Sequence, residues 1–161
     1  MSLLHGYASA GAYTDCFTID LPGVVTHAQF VTAFYTSRLF KVERAILRWV
    51  LGMPSTDAEM AQVAAGSLDR FAAWTVEARA PNQILACDFQ NRTRSWLMTA
   101  PVVGSTLTTR LFFGTVVVPD VDRKPGGQTM PPAFRRLLGF HRWYARALLR
   151  SAVARYGIQC R

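Results

Sequence analysis

The first half of the chain begins with a strand-like pattern and continues with helical ones. Polar and apolar residues alternate in YTDCFTIDL, and the Pro-Gly pair that follows ends the run, which predicts a strand. Thr26 with Gln29 and Thr56 with Glu59 form two capping boxes, each placed just before a helical apolar spacing. The predicted elements are a strand over 13–21, two helices or one bent helix from His27 to Gly52, and a short helix ending at Gly66.

The middle of the chain changes to the period of β-strands. Four strand-like runs are separated by short turns of Pro, Gly, Asn or Gln, which favours an antiparallel meander. The runs cover residues 71–79, 83–89, 93–102 and 105–118. Alternation within them predicts one covered face, formed by Trp74, Val76, Leu85, Phe89, Trp96, Met98, Leu107, Leu111 and Phe113.

The longest helix is predicted over 132–156. Pro132 suits its first turn and Gly157 suits its C-terminal cap. Helical spacing separates a core-facing stripe from a basic flank. The stripe contains Phe134, Leu137, Leu138, His141, Ala145, Leu148 and Ala152. The flank contains Arg135, Arg142, Arg146 and Arg150.

The positive charge of the chain is concentrated at its C-terminal end. The formal net charge is +8, yet residues 1–122 carry nine basic and ten acidic side chains, whereas residues 123–161 carry nine basic ones and none that is acidic. Such a segment fits either an anionic partner or a solvated helix face. Half of the residues are apolar, and no apolar run reaches the roughly 20 residues of a membrane span, so we expect a folded domain without one.

One domain is expected, because 161 residues suit a single core and no repeat or internal boundary is present. We assign residues 1–12 to an N-terminal arm, for which disorder is an open alternative, 13–157 to the domain and 158–161 to a tail. The N-terminus lacks the basic start and apolar core of a signal peptide. Three widely spaced cysteines without a CxxC pair favour free thiols in the cytoplasm over disulfides or a zinc site.

This order of elements makes an α+β fold, in which the long helix buries its stripe against a curved antiparallel sheet. Together with that order, CDFQNRTRSWLM (87–98), TTRLFFGTVVVP (108–119) and LLGFHRWYARALLRSA (137–152) resemble a bacterial branch of the START-like superfamily. The superfamily includes birch-pollen allergens and polyketide cyclases, and the resemblance extends over 13–156. It implies a helix-grip fold, with the sheet wrapped around the C-terminal helix. It also implies binding of an apolar or amphipathic small molecule, with catalysis in some branches only.

His141 is the sharpest candidate for chemistry, because it lies near the midline of the apolar stripe. A histidine that faces a pocket can act as a general base or orient a polar ligand group. The alternative is a core histidine whose ring nitrogens are satisfied by neighbouring groups. Tyr144, one position off the same stripe, would add a hydroxyl to the pocket or serve in packing.

A second group of candidates lies on the predicted strands. Asp88 is surrounded by Arg92, Arg94 and Arg110 in a hairpin arrangement, which predicts either ion pairs on the solvent face or an Asp–Arg site for a carboxylate or phosphate. The predicted ligand-binding residues are Trp96, Met98, Phe113, Arg110, His141 and Tyr144. The catalytic candidates are His141, Asp88 and Tyr144.

Three functions follow from these patterns. The first is binding of an apolar or amphipathic small molecule in a cavity between the sheet and the last helix, with residues 119–132 interpreted as a connection that gates it. The second is an enzyme of the cyclase or hydratase kind that uses His141. The third is binding of nucleic acid or an anionic surface through the arginine flank, but no nucleic-acid motif supports the nucleic-acid form. No metal or cofactor is expected, since the usual motifs are absent, and the oligomeric state is left open.

Overall fold

The computed structural model describes residues 2–104, 107–118, 132–154 and 156, and within the last helix it describes side chains from Gly139 onward. The helices are α1 (His5–Ser9), α2 (His27–Tyr35), α3 (Arg38–Leu51), α4 (Asp57–Ala65) and α5 (Pro132–Val153). The strands are β1 (Tyr13–Pro22), β2 (Arg70–Phe71), β3 (Trp74–Ala80), β4 (Gln83–Asp88), β5 (Thr93–Pro101) and β6 (Thr108–Val117). The predicted connection over 119–131, the cap at Gly157 and the tail over 158–161 lie outside the described residues.

The six strands form one open, curved antiparallel sheet in the order β1-β6-β5-β4-β3-β2. The predicted meander is confirmed, because β3 to β6 pair in chain order. β1 pairs with β6 along its whole length, from Tyr13 opposite Val117 to Pro22 opposite Thr108. The first predicted run is divided into β2 and β3 near Ala72, which has a φ of 45°. The predicted α+β class is therefore confirmed at this level.

Local signals set the boundaries of the helices. The Thr26 and Thr56 side chains cap α2 and α4 in complete capping boxes, as predicted. Ser37 caps α3 separately, so the region up to Gly52 contains two helices rather than one bent helix. Gly52 and Gly66 end α3 and α4 in the left-handed conformation that favours glycine. Within the described residues, no helix has the length and apolar character that crossing a membrane requires.

The main core lies between the helices and one face of the sheet. Phe34 on α2 is its centre, with its ring 4.6 Å from the ring of Phe113 on β6. α5 contributes Ala145, Leu148 and Ala152 from the predicted stripe, all of them buried. The sheet contributes Phe17, Ile19, Leu21, Trp74, Val76, Ile84, Ala86, Leu97, Leu111 and Phe113.

The face predicted for β4 and β5 was wrong. Leu85, Trp96 and Met98 lie on the opposite face of the sheet, in a second cluster with Leu4 from the segment before β1. The alternation could not identify the covered face, because both faces of these strands are apolar, as in Ile84-Leu85-Ala86. Trp96 and Met98 are thereby separated from the face that the helices cover. Two further residues assigned to that face are largely exposed, namely Phe89 and Leu107.

The N-terminal segment contacts this second face. α1 lies within it, and Leu4 is 8% exposed. The Leu3 amide donates a hydrogen bond to Gln83 Oε1, which also accepts one from the Trp96 indole. Gly114 makes the close approach possible, since a Cβ there would lie 2.6 Å from a methyl carbon of Leu4.

Candidate functional site

His141 contacts the sheet through two polar residues of β1 and β6. Asp15 and Thr115 are paired across these strands, and the Thr115 hydroxyl donates a 2.6 Å hydrogen bond to Asp15 Oδ1. His141 Nε2 lies 2.8 Å from Thr115 Oγ1 and 3.5 Å from Asp15 Oδ2. Because the single hydroxyl proton of Thr115 goes to Asp15, the network assigns a proton to His141 Nε2. In the neutral ring, Nδ1 then carries the lone pair.

Asp15 is held in its charged form. Its side chain is only 11% exposed, and burial alone would raise its pKa. Hydrogen bonds from His141 and Thr115 outweigh this effect, so the pKa of Asp15 lies below its ordinary value. A buried carboxylate therefore lies next to the imidazole ring at neutral pH, an arrangement that orients the ring.

A second polar cluster joins α3, α5 and β3. The Tyr144 hydroxyl donates a 2.7 Å hydrogen bond to Glu43 Oε2, and Trp74 also hydrogen-bonds this carboxyl group. Burial raises the pKa of Glu43 despite these two hydrogen bonds. It also raises the pKa of Tyr144, with a further contribution from the nearby Glu43. The Glu43 carboxyl group is thus harder to ionise than an ordinary glutamate, whereas Asp15 is easier to ionise than an ordinary aspartate.

The two clusters are adjacent on α5. His141 and Tyr144 are three residues apart, which places their Cβ atoms about 5–6 Å from each other on one side of a helix. His141 reaches towards β1 and β6, and Tyr144 reaches towards α3. A pair of carboxyl groups with oppositely shifted pKa values is typical of sites that need both an acid and a base.

A row of polar residues extends this site across the sheet. Ser95 on β5 is paired with Thr115, which is paired with Asp15, so the three side chains share the helix-covered face. Ser95 and Thr115 are both buried. The Tyr35 hydroxyl above this face is fully buried, and among the described residues it forms no hydrogen bond of normal length and angle. Burial raises the pKa of Tyr35, an effect that a weak polar contact with Ser95 partly opposes.

An apolar row lies beside the polar one. Two residues further along the strands, Phe17, Phe113 and Leu97 are paired in the same manner. Residues two apart on a strand are separated by about 7 Å, so polar and apolar rows are neighbours on one face. The inner face of the sheet is therefore amphipathic. Phe113, a predicted ligand-binding residue, belongs to its apolar row.

The predicted Asp–Arg site is not formed. Asp88 Oδ1 accepts hydrogen bonds from the backbone N–H groups of Arg92 and Thr93 and so caps the turn after β4. Arg110 instead forms a two-bond ion pair with Asp20 across β1 and β6, at 2.6 and 2.7 Å. Asp88 and Arg110 therefore both bind residues close to them and do not bind each other.

Arg94 likewise pairs elsewhere. Its side chain contacts Glu77 at 3.1 Å and hydrogen-bonds Tyr7 and Asn91. This cluster lies on the face of the sheet that α1 contacts, away from the helix-covered face. Arg94 therefore stabilises the contact of the N-terminal segment and is remote from His141.

An open cleft lies at the edge of the sheet formed by β2, β3 and β4. It has a volume of about 520 Å³, and its walls include Met53, Arg70, Trp74, Cys87, Asp88 and Phe89. Asp88 is the one predicted catalytic candidate in its lining. Trp74 connects the cleft with the inner clusters, because it also hydrogen-bonds Glu43.

Most of the polar residues at this site were missed at the level of sequence. Asp15, Glu43, Ser95 and Tyr35 were not among the candidates, and Thr115 was not either. Of these residues, only Asp15 could have been found from the sequence. The alternation in β1 places this charged residue on the same face as Phe17, which predicts a polar group inside the core. Among the described residues, no group of three or more His, Cys, Asp or Glu side chains is arranged to hold a metal ion.

We expect Glu43→Gln to change how stability depends on pH. A carboxyl group whose pKa is raised by folding stabilises the fold while it is protonated, and this stabilisation is lost as the pH rises through the raised value. The wild-type free energy of unfolding should therefore decrease relative to the variant above the ordinary pKa of 4.5. Below it, the two proteins should differ by about 1 kcal/mol or less, since both side chains are neutral. Urea unfolding over this pH range measures the difference, and parallel curves would contradict the burial of Glu43.

The chain matches no protein-family model, and no curated protein matches it at a significant level.

Proposed function

We propose that the chain binds an uncharged amphipathic small molecule between the sheet and α5, with the helix-grip arrangement of START-like proteins. The observation that carries the proposal is the amphipathic inner face, on which the buried Tyr35 hydroxyl lacks a partner among the described residues. A buried hydroxyl without a hydrogen bond is unfavourable, and a polar ligand group would supply one. Phe17, the partly buried member of the apolar row, offers apolar surface to the rest of the ligand, whereas Phe113 and Leu97 are already packed in the core.

The charge of the site limits the polar group of the ligand. Asp15 is ionised and largely buried, so a carboxylate or phosphate placed beside it would be repelled in surroundings of low dielectric constant. A hydroxyl or carbonyl group avoids this repulsion and accepts a hydrogen bond from Tyr35. We therefore favour a phenol, alcohol or ketone with an apolar body over a fatty acid.

Binding of 1-naphthol and 1-naphthoate tests this proposal, since the two probes share a ring system and differ in charge. We expect calorimetry to show saturable binding of 1-naphthol and weaker binding of the carboxylate. Tyr35→Phe should reduce the affinity for 1-naphthol about five- to tenfold, which is the effect of one hydrogen bond. The same change leaves the unliganded fold intact, because it removes a hydroxyl that has no partner among the described residues.

Tyr7→Phe is the matched control, because Tyr7 lies on the opposite face of the sheet. It should leave the affinity for 1-naphthol unchanged. Native mass spectrometry of gently purified protein gives an independent test, in which a co-purifying apolar mass supports the proposal. Equal affinity of wild type and Tyr35→Phe, or no saturable binding by either, would overturn it.

A second candidate function is acid–base catalysis on the same ligand. The observation that favours it is the pair of oppositely shifted carboxyl groups, Asp15 beside His141 and Glu43 beside Tyr144. His141 Nδ1 would remove a proton adjacent to a ligand carbonyl, while Glu43 in its protonated form donates a hydrogen bond to the carbonyl oxygen. Enolisation of this kind is the first step of dehydrating cyclisations.

Exchange of solvent deuterium into 2-tetralone tests this second function. We expect wild-type protein to accelerate exchange at the carbon next to the carbonyl, and His141→Ala to abolish the acceleration. Glu43→Gln should slow exchange about a hundredfold, within the range of acid–base contributions. If 2-tetralone binds but exchanges at the rate of the free compound, the site is a binding site without this chemistry.

A further inference from the structure

One side of α3 exposes a stripe of apolar residues. Val42, Ile46, Trp49 and Val50 are 56%, 57%, 85% and 72% exposed, and their spacing places them together on the side of α3 away from the core. The core-facing side of the same helix is occupied by Phe40 and the buried Arg44. α3 therefore has two apolar surfaces, and only one of them is packed against other residues that the structure describes.

α5 continues this exposed apolar surface. The two helices are adjacent, because Tyr144 hydrogen-bonds Glu43 and the Leu39 amide donates to Ser151 Oγ at 3.3 Å. Phe140 stacks on Tyr144 with ring centroids 6.0 Å apart. Phe140 and its neighbour Trp143 are 60% and 62% exposed. We call the surface formed by Val42, Ile46, Trp49, Val50, Phe140 and Trp143 the α3/α5 ridge.

Cations border the ridge on both helices. At about 100° per residue, Arg38, Lys41 and Arg48 lie along the side of the α3 stripe that is remote from α5. On α5, Arg150 follows Trp143 around the helix in the direction away from α3, and Arg146 lies beyond it, with its guanidinium 5.1 Å from the centre of the Phe17 ring. All five of these side chains are on exposed residues.

Negative charge is nearly absent from the two helices. Glu43 is the one acidic residue in the sequences of α3 and α5, and it faces inward towards Tyr144. Asp57 at the start of α4 is an acidic neighbour of this region within the described residues, and it is paired with Lys41 and Arg44. The outer surface of the ridge is thus apolar at its centre and positively charged at its borders.

We propose that the α3/α5 ridge docks on an anionic membrane surface. Exposed tryptophans among arginines and lysines are typical of segments that lie in the headgroup region, with apolar side chains inserted and cations near lipid phosphates. Charge selects this occupant over a second copy of the chain, because two such ridges would bring like charges together. A nucleic acid would contact the cations but would leave the Val and Ile side chains unused.

This surface is independent of the proposed ligand site, because its side chains point outward from the two helices. The Tyr144–Glu43 contact lies directly behind it. Docking would therefore place the inner polar clusters close to the lipid headgroups. Membrane docking can fail while ligand binding holds, and the reverse is equally possible.

Co-sedimentation with lipid vesicles tests the ridge. We expect the protein to bind vesicles of phosphatidylcholine mixed with phosphatidylserine, to be released by high salt, and to bind pure phosphatidylcholine much more weakly. Trp49→Ser and Trp143→Ser should each lower the partition coefficient about tenfold, because each removes a large apolar side chain from the contact. Arg48→Glu should abolish the preference for phosphatidylserine.

Leu107→Ser and Arg110→Glu are the matched controls. Leu107 is 70% exposed just before β6, and Arg110 pairs with Asp20 on the face of the sheet opposite the helices, so neither variant should change vesicle binding. Sedimentation of the protein without lipid is a further test. If the wild type forms dimers and Trp49→Ser is a monomer, the ridge is a self-association surface and the proposal is overturned. It would also be overturned by equal binding to both vesicle types, or by ridge variants that bind like the wild type.

Discussion

Phe34→Ala is expected to lower the free energy of unfolding by about 3–5 kcal/mol, the usual cost of emptying an aromatic site in a core. Phe34 is 1% exposed, and its ring lies against the rings of Phe30, Tyr35, Phe40 and Phe113. These neighbours belong to α2, α3 and β6, so one side chain connects the helical layer with the sheet. Small domains have total stabilities of about 5–15 kcal/mol, and this loss is a large part of that.

Urea unfolding followed by circular dichroism measures this effect, and the transition midpoint should fall without a change in slope. Phe140→Ala is the matched control, because the same ring is removed from a site that is 60% exposed on α5. Its loss of stability should remain below about 1 kcal/mol. Equal losses in the two variants would mean that Phe34 is not the centre of the core.

The helices and the order of the strands could be predicted because their signals are local. Both capping boxes consist of residues three positions apart, and glycine at 52 and 66 ends the helices through its own backbone conformation. The division at Ser37 follows from another local signal, a capping side chain, but the apolar spacing on both sides is compatible with a continuous helix. The meander follows from short connections, which leave consecutive strands few other ways to pair.

The faces of β4 and β5 could not be predicted, because alternation specifies a face only where one side is polar. Leu85 and Trp96 are as apolar as Ile84 and Leu97, so the sequence permits either parity. What determines the outer cluster is the N-terminal segment, whose five-residue helix α1 carries no periodic pattern. Leu4 covers Trp96 through a contact between residues far apart in the chain, and no spacing rule reports it.

The partners of His141 could not be predicted either, because they are also far from it in the chain. Thr115 is 26 positions away from His141, and Asp15 is 100 positions from Thr115, so the cluster exists only once β1 pairs with β6. Tyr144 and Glu43 are 101 positions apart. The helical spacing correctly placed His141 on the side of α5 that faces the core. Such spacing predicts which way a side chain points, but it does not predict which residues the side chain contacts. Arg110 does not join Asp88, Arg92 and Arg94 as predicted, because β1 supplies Asp20 as its direct neighbour.

Asp15→Asn should cost about 2 kcal/mol of stability at neutral pH, the typical contribution of hydrogen bonds to a charged group. The Asn side chain has nearly the same shape and keeps one acceptor oxygen for Thr115. It loses the negative charge that faces His141 at 3.5 Å. The expected loss therefore reports the charge of the cluster rather than its packing.

The sign of the pH dependence makes this prediction specific. The pKa of Asp15 is lowered in the folded protein, so its stabilising contribution is fully present above the ordinary value of 3.8 and is lost as the pH falls through the lowered pKa. The difference between wild type and Asp15→Asn should accordingly be largest at neutral pH and should vanish in strong acid. Urea unfolding at both extremes measures it. This behaviour is opposite to that expected of Glu43→Gln.

Asp20→Asn is the matched control for this experiment. Asp20 lies on the same strand, forms its ion pair with the same neighbour β6, and is exposed on the other face of the sheet. Solvent and salt screen such a pair, so its removal should have a clearly smaller effect than the removal of the buried carboxylate. If Asp15→Asn were as mild as Asp20→Asn, or if its cost were the same in acid as at neutral pH, Asp15 would not be an ionised partner of His141. The acid–base function proposed for this site would then lose the group that positions its base.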